Sequence, residues 1–297
     1  ATGPSVGHYL CMYEWLPKEG TYGLSHKQFI SSGSFLPMTI ADLDVDGKDE
    51  VLLTDPNFAV YRYNGSQFVR IWSCSTGQTL QISVGDADGD GRMEGVCTNP
   101  LSSPGRVFVL GFDGSTYTRE AEFEISPNNV GSASVGEIDG DGADEILAAT
   151  YNIAVPPSDY LVYKAEWVGG GYVTDRIGTI GCGTYDIHFG DTDGDGASEA
   201  LILCNFGVQR LLDYESGDYI LLNATIGSTG QFGDLSDVDA DGRPELIIPT
   251  YDGLFVFSDL KVSPQPVPEP AAISMAVFLL FFLVPDREAH RSGRGAT

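Results

Sequence analysis

Basic residues are scarce in this chain: 16 Lys and Arg stand against 42 Asp and Glu in 297 residues, a net charge of −26. A nucleic-acid partner needs a basic face to neutralise phosphates, so that class is excluded. Histidine is rarer, and His8, His26, His188 and His290 lie far apart in sequence. There is no G-x-S-x-G elbow, H-E-x-x-H pair, Walker loop or Arg-Gly-Asp tripeptide. No catalytic constellation is identified. His188 reads as a packed strand residue, with a lone base beside an acidic loop as the alternative. Helical periodicity is also missing, which excludes a solenoid of helix pairs. The apolar run from Ala271 to Val284 has fourteen residues, fewer than the ~20 a helix needs to cross a bilayer.

Glycine, tyrosine and phenylalanine are plentiful, at 37, 14 and 15 residues. That favours a turn-rich β protein, because aromatics suit pleated, half-buried surfaces. With 42% hydrophobic residues, the acidity does not signal disorder. Five segments align as copies of one acidic loop: Asp42 to Glu50, Asp86 to Glu94, Glu137 to Glu145, Asp191 to Glu199 and Asp237 to Glu245. Their starts are 44, 51, 54 and 46 residues apart. Acids occupy positions 1, 3, 5 and 9, and glycine position 6, in every copy. Five loops of four acids hold 20 of the 42 carboxylates, so most of the negative charge belongs to the repeat.

Alternate acids in a tight loop converge on one point, and glycine at position 6 permits the turn toward a carbonyl ligand at position 7. The expected ligands are therefore Asp42, Asp44, Asp46, Lys48 and Glu50 in loop 1, and Asp86, Asp88, Asp90, Arg92 and Glu94 in loop 2. Loop 3 offers Glu137, Asp139, Asp141, Ala143 and Glu145, and loop 4 Asp191, Asp193, Asp195, Ala197 and Glu199. Loop 5 offers Asp237, Asp239, Asp241, Arg243 and Glu245. The position-7 residues contribute their carbonyls. Oxygen-only donors favour Ca²⁺, up to five ions, over zinc or copper. An EF-hand would close with Glu at position 12. That position holds Leu53, Cys97, Ala148, Ile202 and Ile248, so the Glu at position 9 must close the site.

A β-rich run precedes each loop and an apolar strand follows it. Two further strands then flank a turn, at Asn64-Gly65, at Asp113-Gly114, near Gly169-Gly170-Gly171 and at Ser216-Gly217. Each unit is thus four antiparallel strands with the acidic loop between the first and second. Four-stranded units at a ~40–50 residue period are propeller blades. The units resemble the FG-GAP/VCBS repeats of integrin α-subunit propellers and bacterial surface proteins, over roughly residues 8 to 260. The resemblance implies Ca²⁺ in each motif-bearing blade. The Gly-Ala-Pro element of that family is absent, replaced by Thr54-Asp55-Pro56 and Thr98-Asn99-Pro100 in two units. About 21 strands are expected, which suits a closed five-blade ring or a fragment of a larger one. The lack of a leader sequence before Ala1 favours the fragment.

Val262 to Pro270 is a proline-dense linker, followed by the apolar run and a tail with Arg287, Arg291 and Arg294. This order resembles the PEP-CTERM sorting signal of Gram-negative bacteria, with Pro268, Glu269 and Pro270 as the motif. The resemblance implies export, transient anchoring in the inner membrane through the C-terminal segment, and an exosortase-type partner. The basic end agrees with the positive-inside rule. Residues 1–261 are read as an all-β propeller of five motif-bearing blades plus a partial N-terminal blade. Residues 262–270 are the linker, and 271–297 a short hydrophobic helix with a basic tail.

Among Cys11, Cys74, Cys97, Cys182 and Cys204, two pairs flank acidic loops: Cys182 with Cys204, and Cys74 with Cys97. If Phe189 or Gly190 opposes Ala200, Cys204 faces about Asp186, so the first bridge needs a bend and the second a longer one. Buried free thiols are the alternative. On the rim opposite the acidic loops lie Asp55-Pro56-Asn57, Asn99-Pro100, Tyr151-Asn152, Asn205-Phe206 and Tyr251-Asp252. These suit a carbohydrate or protein ligand, or ordinary turn chemistry. The sequence is read as an exported, calcium-binding, non-catalytic surface or matrix protein. The alternative is a polysaccharide-degrading lyase or hydrolase on the same scaffold.

Overall fold

Short runs of β-branched and aromatic residues between Gly, Asn and Asp turns give strands throughout, and no helix occurs among the described residues. The computed structural model describes residues 8–31, 37–55, 57–151, 160–204, 208–215, 218–225, 233–239, 241–250 and 253–257. Strands β1 (His8–Leu16) and β2 (Thr21–Ser31) pair as an antiparallel hairpin in one of two compact units. The hairpin turns through Gly20, whose amide donates to Leu16 O at 2.9 Å and whose φ is +62°.

The second unit holds five antiparallel sheets. Sheet I is β3 (Met38–Ala41), β4 (Glu50–Thr54), β5 (Phe58–Tyr63) and β6 (Phe68–Cys74). Sheet II is β7 (Ile82–Gly85), β8 (Glu94–Thr98), β9 (Gly105–Phe112) and β10 (Tyr117–Ser126). Sheet III is β11 (Val130–Gly136), β12 (Glu145–Thr150), β13 (Leu161–Trp167) and β14 (Tyr172–Thr179). Sheet IV is β15 (Thr184–Gly190), β16 (Glu199–Cys204), β17 (Val208–Glu215) and β18 (Asp218–Thr225). Sheet V has three described strands, β19 (Asp234–Ser236), β20 (Glu245–Thr250) and β21 (Gly253–Phe257). Each sheet runs in chain order, and the acidic loop always joins its first and second strands, as expected.

The turns follow side-chain chemistry. Asn64 Oδ1 accepts the Ser66 and Gln67 amides at 3.0 Å, and Asp113 Oδ1 accepts those of Ser115 and Thr116 at 2.8 and 2.9 Å. Both residues precede a glycine with φ above +90°. These are the Asn-Gly and Asp-Gly hairpins read from sequence.

Burial explains why the second strands are continuously apolar. All of β4, β8, β12 and β16 is buried, whereas the outer strands β6 and β14 are largely exposed. A strand covered on both faces has no polar side to show. Four apolar clusters each lie between successive sheets: Leu52, Phe58 and Phe108 between I and II, and Val96, Val109 and Ile146 between II and III. Leu147, Val162 and Ile202 lie between III and IV, and Leu203 and Leu246 between IV and V. Truncating one such fully buried Leu or Ile to Ala costs about 2–5 kcal/mol.

Successive sheets also meet through their first strands, β3 with β7, β7 with β11, β11 with β15 and β15 with β19. The residue just before each acidic loop is therefore small: Ala41, Gly85, Gly136, Gly190 and Ser236. A Cβ on Gly85 would lie 2.6 Å from Val135 of the next sheet, and one on Gly190 2.6 Å from Pro244. Polar links add to this packing. Ser134 Oγ donates to Ser83 Oγ at 2.8 Å, and Val135 N donates to the same oxygen at 3.1 Å. The buried Gln81 reaches from sheet II to sheet IV, accepting the Ile187 amide at 3.2 Å and donating to the Ile187 carbonyl.

A disulfide joins Cys182 to Cys204 across the start of sheet IV, with Cα atoms 5.7 Å apart. Phe189 does oppose Ala200, but a bulge between Thr184 and Asp186 shifts the pairing so that Cys204 faces Thr184 rather than Asp186. The bulge supplies the bend the bridge needs. Cys74 and Cys97 are free, as is Cys11. The second pairing considered, Cys74 with Cys97, is not made.

Candidate metal centres

Each acidic loop is shaped from within by its own first and sixth residues. The amide of the position-6 glycine donates to the position-1 carboxylate in all five copies, at 2.8 Å for Gly47 to Asp42 and 2.9 Å for Gly91 to Asp86. The distances are 3.0 Å for Gly142 to Glu137, 3.1 Å for Gly196 to Asp191 and 2.9 Å for Gly242 to Asp237. These glycines have φ between +83° and +99°, a region that costs other residues about 1–2 kcal/mol. Position 4 is also left-handed in loops 1 to 4. Gly89, Gly140 and Gly194 fill it in loops 2 to 4, while loop 1 places Val45 there at φ +57°.

The position-9 glutamate is buried in every copy, at 0–4% exposure for Glu50, Glu94, Glu145, Glu199 and Glu245. Its Oε2 accepts the position-2 amide each time, from Leu43 (3.2 Å), Ala87 (2.9 Å), Ile138 (3.1 Å), Thr192 (2.6 Å) and Val238 (2.8 Å). One oxygen is thus fixed by the backbone at the start of the second strand, and the other is left for the loop. Burial pushes Glu94 up to about 8, with the charges of Asp88, Glu120 and Asp86 adding to it. Glu145 and Glu199 rise to about 7, again chiefly through burial.

Carboxylate oxygens from different positions come within 4.8 Å of one another in all five loops. Loop 4 brings together Asp191, Asp193, Asp195 and Glu199. Loop 1 gathers Asp42, Asp44 and Glu50; loop 2 Asp86, Asp88 and Asp90; loop 3 Glu137, Asp139 and Glu145; loop 5 Asp237, Asp239 and Glu245. Asp46, Glu94, Asp141 and Asp241 fall outside the groups of their own loops. The position-7 residues Lys48, Arg92, Ala143, Ala197 and Arg243 contribute no side chain to any of them.

A cation fits these groups. Asp44 Oδ1, Asp86 Oδ1, Asp139 Oδ1 and Glu145 Oε1 are buried without a hydrogen-bond donor. Leaving such oxygens unsatisfied is costly, and charged ones most of all. The clusters can hold metal ions, and their oxygen-only donors suit a hard cation.

Residues outside the motif set the loops apart. Arg62 on β5 reaches into loop 1, where it pairs with Asp44 and Glu50, and Lys164 on β13 lies 2.8 Å from Asp139 of loop 3. Neither is visible from the motif, because both lie one strand further along and at different offsets from their loops.

At the sheet ends opposite the acidic loops, the described amide side chains are committed to turns. Asn57 Oδ1 accepts the Gly77 amide at 3.3 Å and Asn99 Oδ1 the Leu101 amide at 3.0 Å. Tyr61 donates to Asp55 at 2.9 Å. Tyr151 and the β15 residue Tyr185 form an edge-to-face pair with ring centres 5.3 Å apart. Pro56, Asn152, Asn205, Phe206, Tyr251 and Asp252 lie outside the described residues. So do the linker 262–270, its Pro-Glu-Pro motif and the segment 271–297. No helix among the described residues is long and apolar enough to cross a membrane.

His188 lies between sheets IV and V, with Nε2 3.0 Å from Asp186 and Nδ1 3.2 Å from Asp234. Burial favours the neutral ring, but the two carboxylates outweigh it and hold the imidazolium up to about 10. A ring charged at neutral pH accepts no proton there.

A family model of the FG-GAP-like repeat matches residues 42–97, which contain loops 1 and 2. Among solved structures, the chain is similar to a lectin of Agrocybe aegerita described as recognising non-reducing terminal N-acetylglucosamine. The TM-score is 0.48 and the identity 12%, over 76% of this chain and 63% of that one. The chain thus spans less than two thirds of the lectin's length. No curated protein matches.

Proposed function

We propose that the chain is an exported β-propeller whose acidic loops bind Ca²⁺ and whose rim presents a non-catalytic binding surface for an extracellular carbohydrate or protein. The observation that carries this reading is the position-9 glutamate, buried in five copies with one oxygen held by the backbone, and grouped with neighbouring acids in loops 1, 3, 4 and 5. Such a carboxylate is costly without a cation. Five of them in FG-GAP-like repeats describe a scaffold that calcium completes. The packing of successive sheets through their first strands is what radially arranged blades require. Calcium modules that work outside cells bind at ~10⁻⁴–10⁻³ M. The disulfide in sheet IV agrees with an oxidising compartment.

In this reading calcium neutralises clustered carboxylates and fixes the turn between the first two strands of a blade. The loops do no chemistry, and His188, held charged between two aspartates, joins sheets IV and V. The Tyr151 and Tyr185 pair is the described rim feature best suited to contact a ligand, since aromatic faces stack on sugars and apolar side chains alike. A screen of the calcium-loaded full chain against glycan and matrix-protein arrays tests this. Capture without turnover, weakened by Tyr185→Ala, is the expected result. Release of products from an acidic polysaccharide would transfer the protein to the lyase or hydrolase reading.

A further inference from the structure

The position on the third strand that faces the closing glutamate differs in kind from sheet to sheet. Val51 pairs with Tyr61, which sets Arg62 beside Glu50 in sheet I. The matching position is Gly111 in sheet II, Glu166 in sheet III and Asp213 in sheet IV, from the pairings Gly95 with Leu110, Ile146 with Ala165 and Ala200 with Leu212. In sheet II the space that a side chain on Gly111 would fill is taken by the Glu120 carboxylate. Sheets II, III and IV therefore place a further acid where sheet I has a base.

The consequence for loop 1 is specific. Arg62 Nε and Nη2 lie 2.9 and 2.6 Å from Glu50 Oε1, the oxygen its backbone contact leaves over. Nη2 also donates to Asp44 Oδ2, and Nη1 lies 3.5 Å from Asp46. Three of the loop's four acids thus face one guanidinium. In loop 3 the equivalent oxygen, Glu145 Oε1, has no donor, although Lys164 reaches Asp139 in the same loop. Among the described residues no ion pair reaches the acids of loops 2, 4 or 5.

We propose that Arg62 is the resident cation of loop 1, so that this copy closes without a metal ion while the copies lacking such a partner require one. The inference rests on the calcium reading above and deepens it by assigning which loop is exempt. A planar guanidinium with five donors can satisfy two carboxylates at once, which makes it a workable substitute for a divalent ion. Asp44 Oδ1, still without a donor, marks the donor set that removal of Arg62 would release for a metal.

Equilibrium dialysis of the full chain against calcium, with bound ions counted per chain, tests this. Arg62→Gln should bind one ion more than the wild type. Asp44→Asn in the wild-type background should leave the count unchanged, while Asp193→Asn in loop 4 should lower it by one. An equal count for Arg62→Gln and wild type, or a loss of one ion in Asp44→Asn, overturns the proposal but leaves the calcium reading standing. A wild-type chain that binds no ion sinks both. If Arg62→Gln folds only with calcium present, with its extra ion still counted, the new requirement itself supports the exchange of guanidinium for metal.

Discussion

Sheets I and IV share one frame, with four antiparallel strands and a four-acid loop between the first two, yet they are held by different means. Loop 1 is paired internally with Arg62, and its left-handed fourth residue is a valine. Loop 4 carries glycine at that place, brings all four acids together and faces a further carboxylate, Asp213, whose charge adds to the rise in Glu199. Sheet IV is also bridged covalently at the end remote from its loop, by Cys182 and Cys204, whereas Cys74 at the end of sheet I is a free thiol. The comparison separates two levels of specification. The loop's own residues dictate its backbone, through the position-6 glycine and the position-1 carboxylate. The neighbouring strand dictates its charge.

The covalent difference should be the largest to measure. Replacing Cys182 and Cys204 together by Ser opens a crosslink spanning 22 residues, and should lower unfolding stability by about 3 kcal/mol in urea titrations. Cys74→Ser should cost less than about 1 kcal/mol. Similar losses in the two would erase this part of the contrast.

Next come the glycines that the two loops share. Gly47→Ala and Gly196→Ala should each cost about 1–2 kcal/mol, because both positions are left-handed. Closely matched losses would sharpen the claim that one backbone serves both loops, and a large disparity would break it.

At position 4 the sheets should respond with opposite signs. Val45→Gly should stabilise by about 0.5–1 kcal/mol, the relief of a β-branched residue at φ +57° less the entropy glycine brings. Gly194→Val in loop 4 should destabilise by about 1–2 kcal/mol. Thermal melts of the two variants read the difference directly.

A pH-dependent effect concerns the join of sheet IV to sheet V. With a folded pKa of about 10 against an ordinary 6.5, His188 holds its proton in the folded state over a window where the unfolded chain has lost it. Its contribution is therefore full below pH 6.5 and fades as pH rises toward 10. His188→Asn should flatten the decline in melting temperature between pH 7 and 10, measured with chelator present. A slope identical to wild type would mean the Asp186 and Asp234 contacts carry no stability.

Local and periodic features were legible in the sequence. The acids at fixed positions, the position-6 glycine, the hairpins at Asn64 and Asp113 and the placement of every loop between first and second strands follow from residues close together in the chain. Contacts between strands were not. Arg62 lies 12 residues beyond Glu50, and Lys164 lies 25 beyond Asp139. Only the strand pairing brings each to its loop. The bulge at Thr184 and Asp186, which delivers Cys204 to Cys182, changes the register by an amount no pattern announced. The small residues Ala41, Gly85, Gly136, Gly190 and Ser236 stand in plain alignment before each loop. Their reason appears only when the first strands of successive sheets are seen to touch.

The central claim is that cations complete the acidic loops and thereby hold the sheets. The direct measurement is the melting temperature of the full chain in millimolar calcium and in chelator. Each site with a dissociation constant of ~10⁻⁴ M, at about tenfold excess in millimolar calcium, should add about 1.4 kcal/mol. The account predicts a clear fall in chelator that is restored by calcium. Coincident melts in calcium and chelator would contradict it.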